Sequence, residues 1–119
     1  MRFGDKIYYC KKEKGIDTFA APKEIVLAPN YFSLQPSKSA MDIMVYGTDV
    51  ENIYIALCPI DVWGAKYFKK YDRFYLDYAE PTDDEEYGER ANAEIKSVSY
   101  QNLFIRLVIR KLVINQEED

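Results

Sequence analysis

Apolar and polar residues alternate at period two along most of this chain. Lys6 to Cys10, Lys-Ile-Tyr-Tyr-Cys, is a run of β-formers and predicts a first strand. Ile25-Val26-Leu27 predicts a second, kept short or at an edge by Pro22 and Pro29, because proline cannot donate to a ladder. Pro29 to Ser39 reads as a long excursion with a short β-piece at Tyr31 to Leu34. Met41, Ile43 and Val45 share one face, and Gly47-Thr48-Asp49 makes the next turn. Ile53, Ile55 and Leu57 then share one face against Tyr54, Ala56 and Cys58. From Asp72 to Tyr78, Phe74, Leu76 and Tyr78 alternate against Arg73, Tyr75 and Asp77. Ala93 to Val98 and Leu103 to Ile114 predict a closing hairpin with Gln101-Asn102 near its turn.

Two segments are less regular. Val62 to Lys70, with Trp63 and Ala65 to Phe68, suits either a short helical turn or a loop. Leu103 to Ile114 has Leu103, Leu107 and Ile114 loosely at helical spacing. It also holds the β-branched Ile105, Val108, Ile109, Val113 and Ile114, which lose side-chain freedom in a helix. Leu103, Ile105, Leu107 and Ile109 alternate cleanly against Phe104, Arg106, Val108 and Arg110, so the pattern predicts a strand. The expected fold is an all-β single domain over residues 1–119: a small barrel or sandwich of roughly five to eight strands, with long charged loops and a C-terminal β-hairpin. Ile43, Val45, Ile55, Leu57, Phe74, Leu76, Ile105 and Leu107 are the expected core.

At 119 residues the chain can bury one core, and 48% apolar content argues against disorder. No apolar run approaches the ~20 residues that span a bilayer, and residues 1–6 carry no apolar stretch of a secretion signal. The expectation is a protein made and kept in a cytoplasm, with no membrane partner. A net charge of −4 argues against a free-standing nucleic-acid binder. Histidine is absent, which excludes Ser-His-Asp and Cys-His catalysis and His-based zinc sites. The five glycines are scattered, so there is no phosphate-binding loop, and no GxSxG elbow occurs. Cys10 and Cys58 form no CxxC pair and sit in apolar runs, which predicts two buried reduced thiols, with a disulfide as the alternative. The residues thus predict no catalytic site, no metal and no cofactor.

Three constellations remain. Between Asp77 and Glu89 lie Glu80, Asp83, Asp84, Glu85 and Glu86 with no lysine or arginine among them. The plain expectation is a solvated loop kept flexible by self-repulsion. The functional alternative is a loop that repels DNA phosphate or docks a basic partner, through Asp83, Asp84, Glu85 and Glu86. The stretch Tyr67-Phe68-Lys69-Lys70-Tyr71-Asp72-Arg73-Phe74-Tyr75 interleaves aromatic and basic residues. Such a run serves core and subunit contact, or stacks nucleic-acid bases. The outer face of the last strand carries Arg106, Arg110 and Lys111 with Phe104 and Val108, a solvated face or a contact for a neighbour's acids. Tyr71, Arg73, Tyr75, Arg106 and Arg110 are the subunit-interface candidates.

A resemblance covers the last two thirds of the chain. Its elements are Asp61-Val62-Trp63, Tyr71-Asp72-Arg73-Phe74-Tyr75-Leu76-Asp77, Glu80-Pro81, Tyr87-Gly88 with Ala91-Asn92, and Ile95 through Val98 to Asn102, followed by Ile105-Arg106. This run resembles bacteriophage head-closure proteins, the minor capsid or head–tail connector proteins. They carry a Gly-Asp-Arg-Ile-Tyr-type strand, an acidic loop, a Tyr-Gly-x-x-Ala-Asn turn and an Ile-x-x-Val-x-x-x-Asn hairpin. Tyr71 departs from the pattern, since relatives often have glycine there, and the first forty residues carry no part of it.

The resemblance implies a non-enzymatic virion protein of the phage neck. Such proteins form a homo-oligomeric ring with the portal or adaptor protein above and the tail or tail-terminator protein below. The ring extends and closes the channel for double-stranded DNA after packaging and gives the tail its platform. The rival expectation is a monomeric oligonucleotide- or glycan-binding β-domain that uses Tyr67, Tyr71, Phe74 and Tyr75.

Overall fold

A computed structural model of the chain describes residues 2–13, 18–36 and 53–112. The expected strand Met41 to Tyr46, with Ile43 and Val45, and the turn at Gly47 lie outside the described residues. The described elements are β1 (Lys6–Cys10), β2 (Lys23–Val26), β3 (Ser33–Pro36), β4 (Ile53–Pro59), a single helical turn α1 (Ile60–Trp63), β5 (Arg73–Tyr75), β6 (Ala93–Gln101) and β7 (Phe104–Lys111). The all-β expectation and the C-terminal hairpin are both borne out.

The seven strands form one antiparallel sheet in the order β2-β1-β5-β6-β7-β4-β3. Its two edge strands, β2 and β3, are neighbours in sequence. A flat sheet of this size would hold its edges roughly 29 Å apart. The link from Val26 to Ser33 reaches at most about 24 Å, and a tight turn between Ala28 and Phe32 shortens it further. The sheet must therefore curl, which brings Ile25 of β2 and Leu34 of β3 into one buried cluster. Among the described residues the curl does not close into a barrel, because β2 and β3 do not pair.

The concave side holds Ile7, Tyr9, Phe74, Ile95, Ile105, Leu107 and Ile109, packed with Trp63 of α1 and with Phe32 and Phe68 from the loops. On β7 the inward face of Ile105, Leu107 and Ile109 is as the sequence predicts, whereas Leu103 lies exposed in the turn and Val108, expected on the outer face, is buried. On β4 the expected face is reversed from Ile55 onward: Ala56 and Cys58 are buried, Ile55 is half-buried and Leu57 is 36% exposed, while Ile53 is buried. Both faces of that strand are apolar, so periodicity could not choose between them. Pairing chose instead, setting Ala56 against Leu107 and Cys58 against Ile105. The small side chains leave room for the aromatic rings that fill the interior.

The hairpin explains the Ile-x-x-Val-x-x-x-Asn spacing. In an unbroken strand, Ile95 and Val98 would point to opposite faces. The register shifts between Ile95 and Ser97, so Lys96 is an extra, bulged residue. Ile95 then faces Ile109 and Val98 faces Leu107 on the same side. Asn102 opens the two-residue turn with φ 55°, a left-handed conformation that asparagine tolerates.

β5 is shorter than predicted. Asp77 and Tyr78 have φ 56° and 68°, so the extended backbone and its alternation end before them, and Tyr78 is exposed. Asp72, just before β5, is the one charged side chain fully buried among the described residues. It accepts hydrogen bonds from the Tyr9 hydroxyl, from Lys12 N at 2.8 Å and from Lys69 N at 2.9 Å. One carboxylate thus ties β1 and its following arm to the turn that leads into β5.

Candidate functional site

The loop from Glu80 to Arg90 leaves the sheet after β5 and returns to β6. Its base is closed by Asn92, whose side-chain oxygen accepts from Leu76 N at 2.8 Å and whose amide donates to Leu76 O at 2.9 Å. Its crown is organised by Glu85. That carboxylate accepts from the Tyr75 hydroxyl (2.6 Å), from Thr82 N (2.6 Å) and hydroxyl (3.1 Å), and from Arg90 N (2.9 Å). Partial burial works against ionisation. The bonds from Tyr75, Thr82 and Arg90 outweigh it and hold the Glu85 carboxyl below its ordinary range. Glu85 is therefore a staple, set apart from the exposed acids around it. Asp83, Asp84 and Glu86 are exposed.

Beneath the loop lies a second small cluster of Cys10, Tyr75 and Ala91, packed with Tyr8, Phe19 and Ala79. Tyr75 is 1% exposed, so it anchors the loop instead of offering a surface for a neighbour. The reason is that the convex side of β1 and β5 is covered here, whereas period two alone would leave it open. Burial first, and then the bond to Glu85, push the Tyr75 hydroxyl pKa up. Arg73, on the same side, is half-buried. Its guanidinium carbon lies 4.8 Å from the centre of the Phe19 ring and Nη1 donates to Gly88 O at 3.1 Å. Its Nε is buried without a hydrogen-bond partner among the described residues. Gly88 has φ 78°, and a Cβ there would fall 2.8 Å from Phe19 Cγ, so only glycine fits.

Arg106 and Arg110 are half-buried on the convex face of β7, opposite Leu57 and Ile53 of β4. Lys111 instead reaches Asp77 at 2.6 Å, and this bond raises the Lys111 pKa. Tyr71 is 44% exposed and has φ 78°, a left-handed backbone conformation that favours glycine.

One grouping was not foreseen. Lys11 and Lys12 meet Lys69 and Lys70 around an open recess of about 660 Å³ that Glu13, Ala20 and Asp72 also line, and the Lys11 ammonium donates to Tyr67 O. Lys12 and Lys70 sit 5.4 and 5.0 Å from the Tyr71 ring centre. Lys11 lies 4.9 Å over Tyr67. The two halves are separated by nearly sixty residues, and the only signal that could join them is a single acid, Asp72, inside a basic-aromatic run.

Among the described residues no group of three or more cysteines and acids is placed to hold a metal, and no helix is long and apolar enough to cross a membrane. Comparison with protein-family models, with curated proteins and with solved structures gives no match for this chain.

Proposed function

We propose that the chain is a structural subunit of a phage neck. In this reading it forms a homo-oligomeric ring between portal or adaptor and tail, extends and closes the DNA channel, and supports tail attachment. The observation that carries the reading is where the residues of the resemblance fall. Arg73, Tyr75, Gly88 and Asn92 bond at the base or crown of the acidic loop, and Asp72 fastens the turn that leads into the strand before it. Ile95, Val98 and Asn102 set the bulge and turn of the hairpin. The shared residues thus act as a frame for one projecting acidic loop. A ring of such loops repels DNA phosphate and lets the duplex slide without being held. Exposed Leu103, Tyr100 and Phe104 at the hairpin end, with Val62 of α1, offer apolar area for contact with neighbours.

The rival oligonucleotide- or glycan-binding reading draws less support. Of its four aromatics, Phe74 and Tyr75 are buried and Tyr67 packs against Tyr9, Trp63 and Phe68, which leaves Tyr71 alone at the surface. The test is electron microscopy of the purified protein together with complementation of a phage lacking the gene. Rings with a central hole and restored tail joining are expected. A monomer that holds single strands or sugars at micromolar levels, and that does not complement, overturns the proposal.

A further inference from the structure

We propose that the acidic loop and the returning side of the arm between β1 and β2, residues 18–20, form one strap that lifts as a unit while the sheet stays folded, with Phe19 as its latch. This concerns how the chain opens and stands whether or not the neck reading holds. The strap has a core of its own. Cys10, Tyr75 and Ala91, packed with Tyr8, Phe19 and Ala79, form a cluster apart from the main one. Phe19 comes from the arm, Ala79 and Ala91 from the two ends of the loop, and the sheet contributes only through β1 and β5. A small satellite cluster covers less apolar surface than the main core and opens at lower cost.

Phe19 joins arm to loop. Its ring lies against Gly88, where a Cβ would fall 2.8 Å from Phe19 Cγ, and the Arg73 guanidinium carbon lies 4.8 Å from its centre. Next to this contact, a cavity of about 530 Å³ separates Glu13 and Thr18 from Asp83, Glu86 and Tyr87. Both parts are rooted. Asp72 accepts from Lys12 N at 2.8 Å and fixes the outgoing side of the arm. Asn92 bonds twice to Leu76 and fixes the base of the loop. Beyond these roots, Glu13 N donates to Thr18 O at 2.9 Å and Ala20 N to Lys11 O at 2.8 Å, which holds the returning side to the outgoing one. Glu13, Thr18 and Ala20 are exposed, and bonds of this kind open readily. Lifting breaks them, together with the Glu85 bond to Tyr75 and the Arg73 bond to Gly88 O, and it keeps Phe19 on Gly88.

Residue-resolved amide hydrogen exchange of the full chain, followed by nuclear magnetic resonance over a series of low urea concentrations, tests the strap. Glu13 and Ala20 report on the arm, Glu89 and Ala91 on the loop, and the ladder amides of β7 on the sheet. In the wild type the four strap amides are expected to share one protection and one shallow urea slope, with protection at least about tenfold below that of β7. Glu85→Ala should speed all four by one common factor of about tenfold. In a Phe19→Ala background, Glu85→Ala should speed Glu89 and Ala91 and leave Glu13 and Ala20 unchanged, because the latch is gone. Phe19→Leu takes the place of Phe19→Ala if the latter loses the native circular dichroism spectrum. If neither variant folds, the ring supports the whole sheet and the strap is overturned. Different urea slopes for arm and loop in the wild type overturn it, as does exchange of the strap amides together with β7. An arm that still follows the loop without Phe19 also overturns it.

Discussion

The Tyr75 hydroxyl donates to Glu85 Oε2 at 2.6 Å, and this bond fastens the crown of the acidic loop to the buried end of β5. A carboxylate that accepts from a hydroxyl and from backbone N–H groups is worth more than its exposed neighbours, because its loss strands donors in a partly buried place.

Glu85→Ala is accordingly expected to lower stability by about 1–2 kcal/mol. Asp83→Asn/Asp84→Asn/Glu86→Gln should stay within about ±0.5 kcal/mol. Urea unfolding of the two variants separates the staple from the solvated acids. The pH dependence has a fixed sign. The folded-state pKa of Glu85 lies below its unfolded value, so its contribution is full above the unfolded carboxylate pKa of about 4.3 and disappears as pH falls through the folded value. The advantage of the wild type over Glu85→Gln in thermal melts should shrink as pH falls below about 4. An advantage that grows with acid contradicts the assignment.

Gly88→Ala tests the contact under the same loop. Two terms add here: the left-handed backbone at φ 78° and the overlap of a Cβ with Phe19 at 2.8 Å. Gly64→Ala carries only the first, since nothing lies within 4 Å of a Cβ at that position although φ is 89°. Gly64→Ala should cost about 1 kcal/mol and Gly88→Ala on the order of 2–3 kcal/mol. Equal melting temperatures for the two would show that Phe19 moves aside freely.

Asp72 and Tyr9 give a coupling that a double-mutant cycle can read. Tyr9→Phe removes one donor and leaves the carboxylate with Lys12 N and Lys69 N. Asp72→Ala strands all three donors. The expected losses are about 1 kcal/mol for the first and about 3–4 kcal/mol for the second, with the double variant less destabilised than their sum. Strict additivity would mean that the hydroxyl finds another partner, for which Tyr67 O at 3.5 Å is the nearest candidate.

These energetics mark what the sequence could and could not convey. β1 was legible to its end residues because its β-formers are bounded by charge. β7 was legible because β-branched residues and alternation agree along it, whereas the bulge at Lys96 in β6 breaks the alternation and shows only in the pairing. The inward face of β4 was not, since Ile55 and Leu57 are as apolar as the Ala56 and Cys58 that are buried, and only pairing with β7 decides. Glu85 could not be told from Asp83 or Asp84 by composition, because its role depends on a tyrosine ten residues away whose ring is covered by Phe19 and Ala91. The lysine recess depends on two segments that meet only in the folded chain, where Asp72 bonds to both and Lys12 lies over Tyr71.

The two cysteines report on loop and core separately. Both are free and buried, with the Cys10 thiol pushed up to about 11 and the Cys58 thiol to about 12, in each case mainly by burial. At pH 8 the thiolate fractions are then about one in a thousand and one in ten thousand, and a thiol reagent must wait for the fold to open. Cys10 belongs to the small cluster under the acidic loop with Tyr75 and Ala91, whereas Cys58 belongs to the main core. Loosening the loop should therefore release one thiol and not the other. In the native wild type neither should be labelled on the minutes scale, and both should be labelled in denaturant. Glu85→Ala should speed labelling of Cys10 roughly in proportion to the stability lost, about tenfold for 1.4 kcal/mol, and leave Cys58 near its wild-type rate. Peptide mapping after a timed pulse of alkylating reagent reads the two sites independently. If both accelerate together, the loop and the core open as one unit, and Glu85 supports the whole fold instead of one projection.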